Sequence, residues 1–143
     1  MLIAHVLRNK GADVHTAGAE MSIEEAAREL NVKRVGALVV MDGAVVAGVL
    51  SERDIVRTLH HDGPDVLKRS VASIMSTVVA TCGPESSVDD LAELMTQNRV
   101  RHIPVLVDAR LAGIVSIGDV VKTRVTELEG EARTLEAYIH HGR

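Results

Sequence analysis

Two short runs hold the side chains best placed to do chemistry. Gly48-Val49-Leu50-Ser51-Glu52-Arg53-Asp54 ends an apolar stretch and opens a helical one. Gly113-Ile114-Val115-Ser116-Ile117-Gly118-Asp119 repeats its pattern 65 positions later. Each copy has a Gly, two aliphatics, a Ser in fourth place and an Asp in seventh. A Ser at a helix start with a carboxylate three residues on is the pattern of an N-terminal cap. The same carboxylate, at a strand end, can also accept hydrogen bonds from a vicinal diol such as that of ribose. The neighbouring helix N-terminus offers free N–H groups to an anion. Capping accounts for either copy alone, but two copies at a fixed period call for more, and both readings stand at this level.

Other chemistries find less support. His60-His61 and His140-His141 are adjacent pairs, and neighbours on a helix point to different sides, so neither pair is a chelate. There is no HExxH, no Cys cluster, no Walker A and no GxGxxG. Cys82 has no activating partner that the sequence names, so a nucleophile and a catalytic role are not expected. Sixteen Lys and Arg against twenty Asp and Glu give a net charge of −4, which does not suit nonspecific nucleic-acid binding. With no Phe or Trp and one Tyr there is no platform for stacking bases. No apolar run reaches the length of a membrane span. Residues 1–7 are too short for a signal peptide, with Arg8 and Lys10 following rather than leading. The single Cys fits a reducing compartment, so a cytoplasmic location is expected.

The elements that must position the two runs follow from periodicity. Ser22 caps a helix with Glu24 and Glu25 in its first turn, and Ile23, Ala26, Ala27 and Leu30 form its buried stripe. Gly36 to Met41 and Ala44 to Leu50 read as strands around an Asp42-Gly43 turn. A helix runs from Glu52 to about His61, and Val66 to Ser70 reads as a linker. Short strands are expected over Val14 to Thr16 and Val78 to Thr81. From Ser87 the order is replayed. Setting Ser22–Arg57 against Ser87–Lys122 without a gap gives 11 identities in 36 positions, Arg34/Arg99, Gly48/Gly113, Ser51/Ser116 and Asp54/Asp119 among them. The unit is β-α-β-β-α, used twice, with halves at 1–65 and 66–143. Half of 143 residues is too small to bury both faces of a sheet, so the halves are expected to pack sheet to sheet about a pseudo-twofold axis, making two related clefts. The last helix runs on past the repeat, with Val121, Val125, Leu128, Ala132, Leu135 and Ile139 on one stripe. It either caps the domain's own core or forms an arm to a second subunit.

The doubled pattern resembles the tandem CBS domain pair, or Bateman module. The matching stretches are SIEEAARELNVKRVGALVVMDGAVVAGVLSERDIVR and SVDDLAELMTQNRVRHIPVLVDARLAGIVSIGDVVK, with the VASIMS lead-in, the RVRHIPV turn and the paired GhhSxxD. The resemblance implies an α/β (α+β) fold of two such repeats, of the stand-alone bacterial type. It also implies a regulatory, non-catalytic module binding AMP, ADP, ATP, NAD or another adenosyl ligand, with no required cofactor. Asp54 and Asp119 would hold ribose hydroxyls, and Ser51 and Ser116 would face the ribose–phosphate side. Val35, Gly36 and Ala37, and Val100, Arg101 and His102, would line the adenine and phosphate region. The strands at Val14, His15 and Thr16 and at Val79, Ala80 and Thr81 would give backbone contacts to adenine, each in the cleft of the other half's Asp. Lys10, Arg53, Arg99, Arg101 and His102 are phosphate candidates, with solvated charge as the alternative. Arg34 and Arg99, at their helix ends, read as structural first. The resemblance also implies a homodimer through helices, around Ile55, Val56, Leu59, Val120 and Val121. The competing reading is a partner-binding module with empty or degenerate clefts.

Overall fold

A computed structural model describes residues 1–11, 13–77 and 80–142. Helix α1 (Ile3–Lys10) and strand β1 (Thr16–Gly18) precede α2 (Ile23–Lys33), β2 (Ala37–Asp42), β3 (Val45–Ser51) and α3 (Glu52–Asp62). Two 3₁₀ turns, Pro64–Lys68 and Val71–Ser73, lead to β4 (Ser76–Thr77). Then come α4 (Val88–Asn98), β5 (His102–Val107), β6 (Arg110–Ser116) and the long α5 (Ile117–His141).

The repeat persists in fine detail. β2 and β3 pair antiparallel with an irregularity between Val40 and Met41, and β5 and β6 do so with one between Val105 and Leu106. Helices α2 and α4 both end on an arginine in the left-handed region, Arg34 at φ 55° and Arg99 at φ 53°. That conformation costs a non-glycine residue about 1–2 kcal/mol, so the shared Arg marks a shared backbone turn into β2 and β5. The conserved-looking Gly of each run also has a steric reason. A Cβ on Gly48 would lie 2.6 Å from the Ser76 carbonyl oxygen, and one on Gly113 would lie 2.7 Å from the Leu7 side chain.

The two halves differ where a third strand joins each hairpin. In the first, β1 runs parallel to β2 and the sheet order is β1-β2-β3-β4. The Val39 N–H donates to the His15 carbonyl at 3.1 Å. In the second, Pro104 stands at the place of Val39 and has no N–H to give. Among the described residues only a bridge between Cys82 and Val105 remains, held by Cys82 N–H to Pro104 O at 3.1 Å and Leu106 N–H to Cys82 O at 2.8 Å. The Ala80 carbonyl thereby lacks the ladder bond that His15 receives.

Three expectations shift. β1 starts at Thr16, so Val14 and His15 precede it. Of the strand expected over Val78 to Thr81, Ala80 and Thr81 are in no strand, and Val78 and Val79 lie outside the described residues. The stretch read as a linker is structured, with Val66 and Val71 fully buried in a core with Ile23, Leu38 and Leu50. A second core gathers Val88, Leu91, Ile103 and Val115 with Ile3 and Val6 of α1. Packing thus crosses the 65/66 division in both directions. Beyond Val120, α5 buries no residue among those described.

Candidate functional site

Both Ser-x-x-Asp runs are complete capping boxes. The Asp54 N–H donates to Ser51 Oγ at 3.2 Å and the Ser51 N–H donates to Asp54 Oδ2 at 2.9 Å. The second copy matches it, with Asp119 N–H to Ser116 Oγ at 3.2 Å and Ser116 N–H to Asp119 Oδ2 at 2.8 Å. Each box uses one carboxylate oxygen and leaves the other to face outward. At Asp54 the second oxygen takes a further partner, whereas at Asp119 the further partner shares the capping oxygen.

Asp54 is only 5% exposed, although it opens α3. Its Oδ1 accepts from an Arg57 guanidinium nitrogen at 2.7 Å and, weakly, from Ser76 Oγ at 3.4 Å. It borders a cleft of about 350 Å³ between the halves. Gly36, Ser51, Arg53 and Asp54 come to it from the first half, and Ala80, Val100, Arg101 and His102 from the second. With Arg99, these nine expected residues therefore meet in one place. The mixing of Asp54 with Ala80 is the crossed arrangement that the resemblance implies. The cleft also takes Glu52, Arg57, Ser76 and Thr77, with Val49, Pro104 and Ile117 as apolar wall. Arg57 was legible as the same-face residue one turn after Asp54; Ser76 and Thr77, set there by the β3–β4 pairing, carried no local signal. Four arginines, Arg53, Arg57, Arg99 and Arg101, thus line a site whose own carboxylates are Glu52 and Asp54. Among the described residues Arg53, Arg99 and Arg101 make no ion pair, so their charge is open to a ligand anion.

The remaining candidates lie elsewhere. Val35 borders a separate shallow groove between α2 and α3, and Ala37 is buried in β2. Thr81 and Thr16 are exposed, and His15 contributes its backbone to β2. Asp119 and Ser116 meet Lys10, whose ammonium donates to Asp119 Oδ2 at 2.6 Å and to the Ile114 carbonyl at 2.8 Å. A residue expected to meet phosphate therefore shares the capping oxygen of Asp119 with the Ser116 N–H. Burial pushes the Asp119 carboxyl up, but the Lys10 ammonium and the Ser116 N–H and hydroxyl together hold it below the usual range.

His102 stands between the two copies. A Cβ on Gly36 would lie 3.7 Å from its Nε2 and 3.6 Å from Glu52 Oε1, while Lys10, Asp119 and Arg101 act on it through space. Burial, then the Lys10 charge, lowers its pKa, so the imidazole is neutral at neutral pH. Burial and the neighbouring Glu85 push the Cys82 thiol up to about 11, which leaves it without nucleophilic character. Among the described residues no group of three or more His, Cys, Asp or Glu could hold a metal ion, and no helix is long and apolar enough to cross a membrane.

A doubled β-α-β-β-α fold with a Ser-x-x-Asp cap in each repeat defines a class. A family model for the CBS domain matches the chain twice, over residues 7–61 and 71–125. The chain belongs to the CBS-domain family, as a tandem pair. It is 35% identical to the mitochondrial CBS domain-containing protein CBSX3 of Arabidopsis thaliana, over 98% of this chain and 72% of that one. The crystal structure of the CBS-domain containing protein ATU1752 from Agrobacterium tumefaciens is similar with a TM-score of 0.83 and 45% identity, over 87% of this chain and 99% of that one. The CBS domain pair of protein MJ0100, solved in complex with 5′-methylthioadenosine and S-adenosyl-L-methionine, is similar with a TM-score of 0.79 and 25% identity, over 89% of this chain and 98% of that one.

Proposed function

We propose that the protein is a regulatory module that binds one phosphate-bearing adenine nucleotide per chain, in the Asp54 cleft, and performs no chemistry on it. The observation that carries this reading is the set of four arginines around one buried, helix-capping carboxylate. Asp54 accepts from the ribose hydroxyls, and Ser51 and the α3 N-terminus face the first phosphate. Arg53, Arg99 and Arg101 meet the further phosphates, and the base lies against Val49, Val100 and Pro104 near the Ala80 carbonyl. The adenosyl ligands of the MJ0100 pair support the ligand class. The arginines favour AMP, ADP, ATP or NAD over a sulfonium such as S-adenosylmethionine, whose positive charge they would repel.

The second reading, an empty cleft, is favoured for the other copy by Gly118, which stands where the first copy has Arg53. Binding shifts the charge between the halves, and a signal requires that the ligand prefer one arrangement of them. A reducing, cytoplasmic setting suits the single buried thiol of Cys82. Isothermal titration with AMP, ADP, ATP, NAD and S-adenosylmethionine tests the proposal. It expects one site per chain, with ADP and ATP tighter than AMP and all tighter than S-adenosylmethionine. No heat and no thermal shift with any of the five refutes it.

A further inference from the structure

The distal part of α5 carries a regular apolar seam that its own chain does not cover. Val121, Val125, Leu128, Ala132, Leu135 and Ile139 follow one another at alternating steps of four and three, the a/d spacing of a heptad repeat. The five large members are 49–60% exposed. At 1.5 Å per residue the seam is about 27 Å long. The body-facing Val120, Thr123 and Glu127 centre roughly 125° from the seam round the helix, and Arg124 reaches Asp89 of α4 at 3.6 Å, so beyond residue 127 the body leaves the seam open. A lone helix of this length is marginal in water. Gly130 at its middle weakens it by about 1 kcal/mol, and beyond residue 127 the only ion pair among the described residues is Arg133–Glu129 at 3.8 Å.

We propose that the seam pairs with the α5 of a second copy of this chain, antiparallel, about a twofold axis at Gly130. The proposal is independent of the ligand reading. The seam is self-complementary in that register. Val121 meets Ile139 of the second copy, Val125 meets Leu135, and Leu128 meets Ala132, so each layer sets a larger side chain against a smaller one. At both ends Lys122 faces Glu136 of the second copy. Near the axis Glu129 and Glu131 face their own copies, and Arg133 offsets the Glu129 charge. A parallel pairing would put Arg124 beside Glu129, but also Glu131 beside Glu136. It would stack Ala132 on Ala132, leaving a thin layer between two thick ones.

Sedimentation equilibrium of the full chain, without nucleotide, tests the proposal. The expected mass is twice the 15.3 kDa of the chain, and Leu128→Glu with Leu135→Glu is expected to halve it. These side chains are exposed in the monomer, so the body stays folded, as upfield methyl signals in the proton spectrum will report. Leu128→Met with Leu135→Met is expected to remain dimeric. A monomeric natural chain, or a dimer that survives the two Glu substitutions, overturns the proposal. For orientation, a Glu131→Cys variant is expected to cross-link to itself with a short thiol-specific linker, the buried Cys82 staying silent. Cross-linking by Leu128→Cys but not Glu131→Cys overturns the antiparallel register.

Discussion

Asp54→Asn is the substitution that separates the two roles of the Ser-x-x-Asp run. In the native cap the carboxylate accepts the Ser51 N–H at 2.9 Å and an Arg57 nitrogen at 2.7 Å. The Asn amide oxygen can still accept the Ser51 N–H, so the box survives without its charge. Losing that charge at the helix N-terminus costs about 0.5–1 kcal/mol. The Arg57 pair adds less than about 0.5 kcal/mol, because the Arg57 side chain is 63% exposed. The expected stability loss of about 1 kcal/mol corresponds to roughly 3 °C in melting temperature for a chain of this size. The ligand loses far more. Two hydroxyl-to-carboxylate hydrogen bonds become one neutral contact, at about 1.5–3 kcal/mol for each charged bond. The net loss of about 2–5 kcal/mol weakens binding by roughly thirtyfold to several thousandfold, since about 1.4 kcal/mol is a factor of ten. Titration calorimetry with ATP, beside a thermal melt, reads both effects. Asp119→Asn is the matched control, expected to change ATP affinity less than twofold. An Asp54→Asn protein that binds within threefold of the natural chain would refute the ribose role, and equal losses in both variants would refute the one-site reading.

Three further outcomes are expected. Lys10→Ala removes a partly exposed ion pair, so a thermal melt should show a stability loss of less than about 1 kcal/mol, with ATP stoichiometry unchanged at one per chain. His102 has a pKa below its ordinary 6.5, so the unfolded chain takes a proton that the folded chain refuses. Stability should therefore be undiminished above that value and fall as pH drops through it, until the folded imidazole also protonates. Urea melts at pH 7.5 and 5.5 should show the slope, and His102→Gln should flatten it. ATP affinity should rise only at lower pH, where the folded imidazole takes its proton and joins the arginines. Gly48→Ala should cost about 1–3 kcal/mol by denaturant melt, because its Cβ would meet backbone rather than a movable side chain.

The sequence made some of this plain and hid the rest for physical reasons. Caps, hairpins and helices are local, so Ser22, Ser51, Ser87 and Ser116 could be placed from their neighbours alone, and the gapless repeat supplied the topology. β1 came out two residues off because Val14 and Thr16 favour strands, whereas pairing with Val39, Val40 and Met41 puts Ala17 and Gly18 in the ladder instead. The Lys10–Asp119 contact spans 109 positions and has no periodic signature. Nothing in the repeat announces it either, since the position 65 residues after Lys10 is Met75. Pro104 was visible as a residue, but its effect, the loss of one ladder bond and a strand reduced to a bridge, appears only when its partner is known.

The crossed packing of the two cores sets a timetable for synthesis. Ile3 and Val6 leave the ribosome first, yet their partners Leu91, Ile103 and Val115 come last. The first half can close its own core once Val71 has emerged, while α1 must wait through nearly the whole chain with its apolar face in water. The α1 segment that ends in Lys10 therefore docks late, and the Asp54 cleft, which needs Val100 and His102, cannot exist before it is nearly due to dock. Nascent chains of increasing length should gain protection in two steps, the second only after residue 115 has been made.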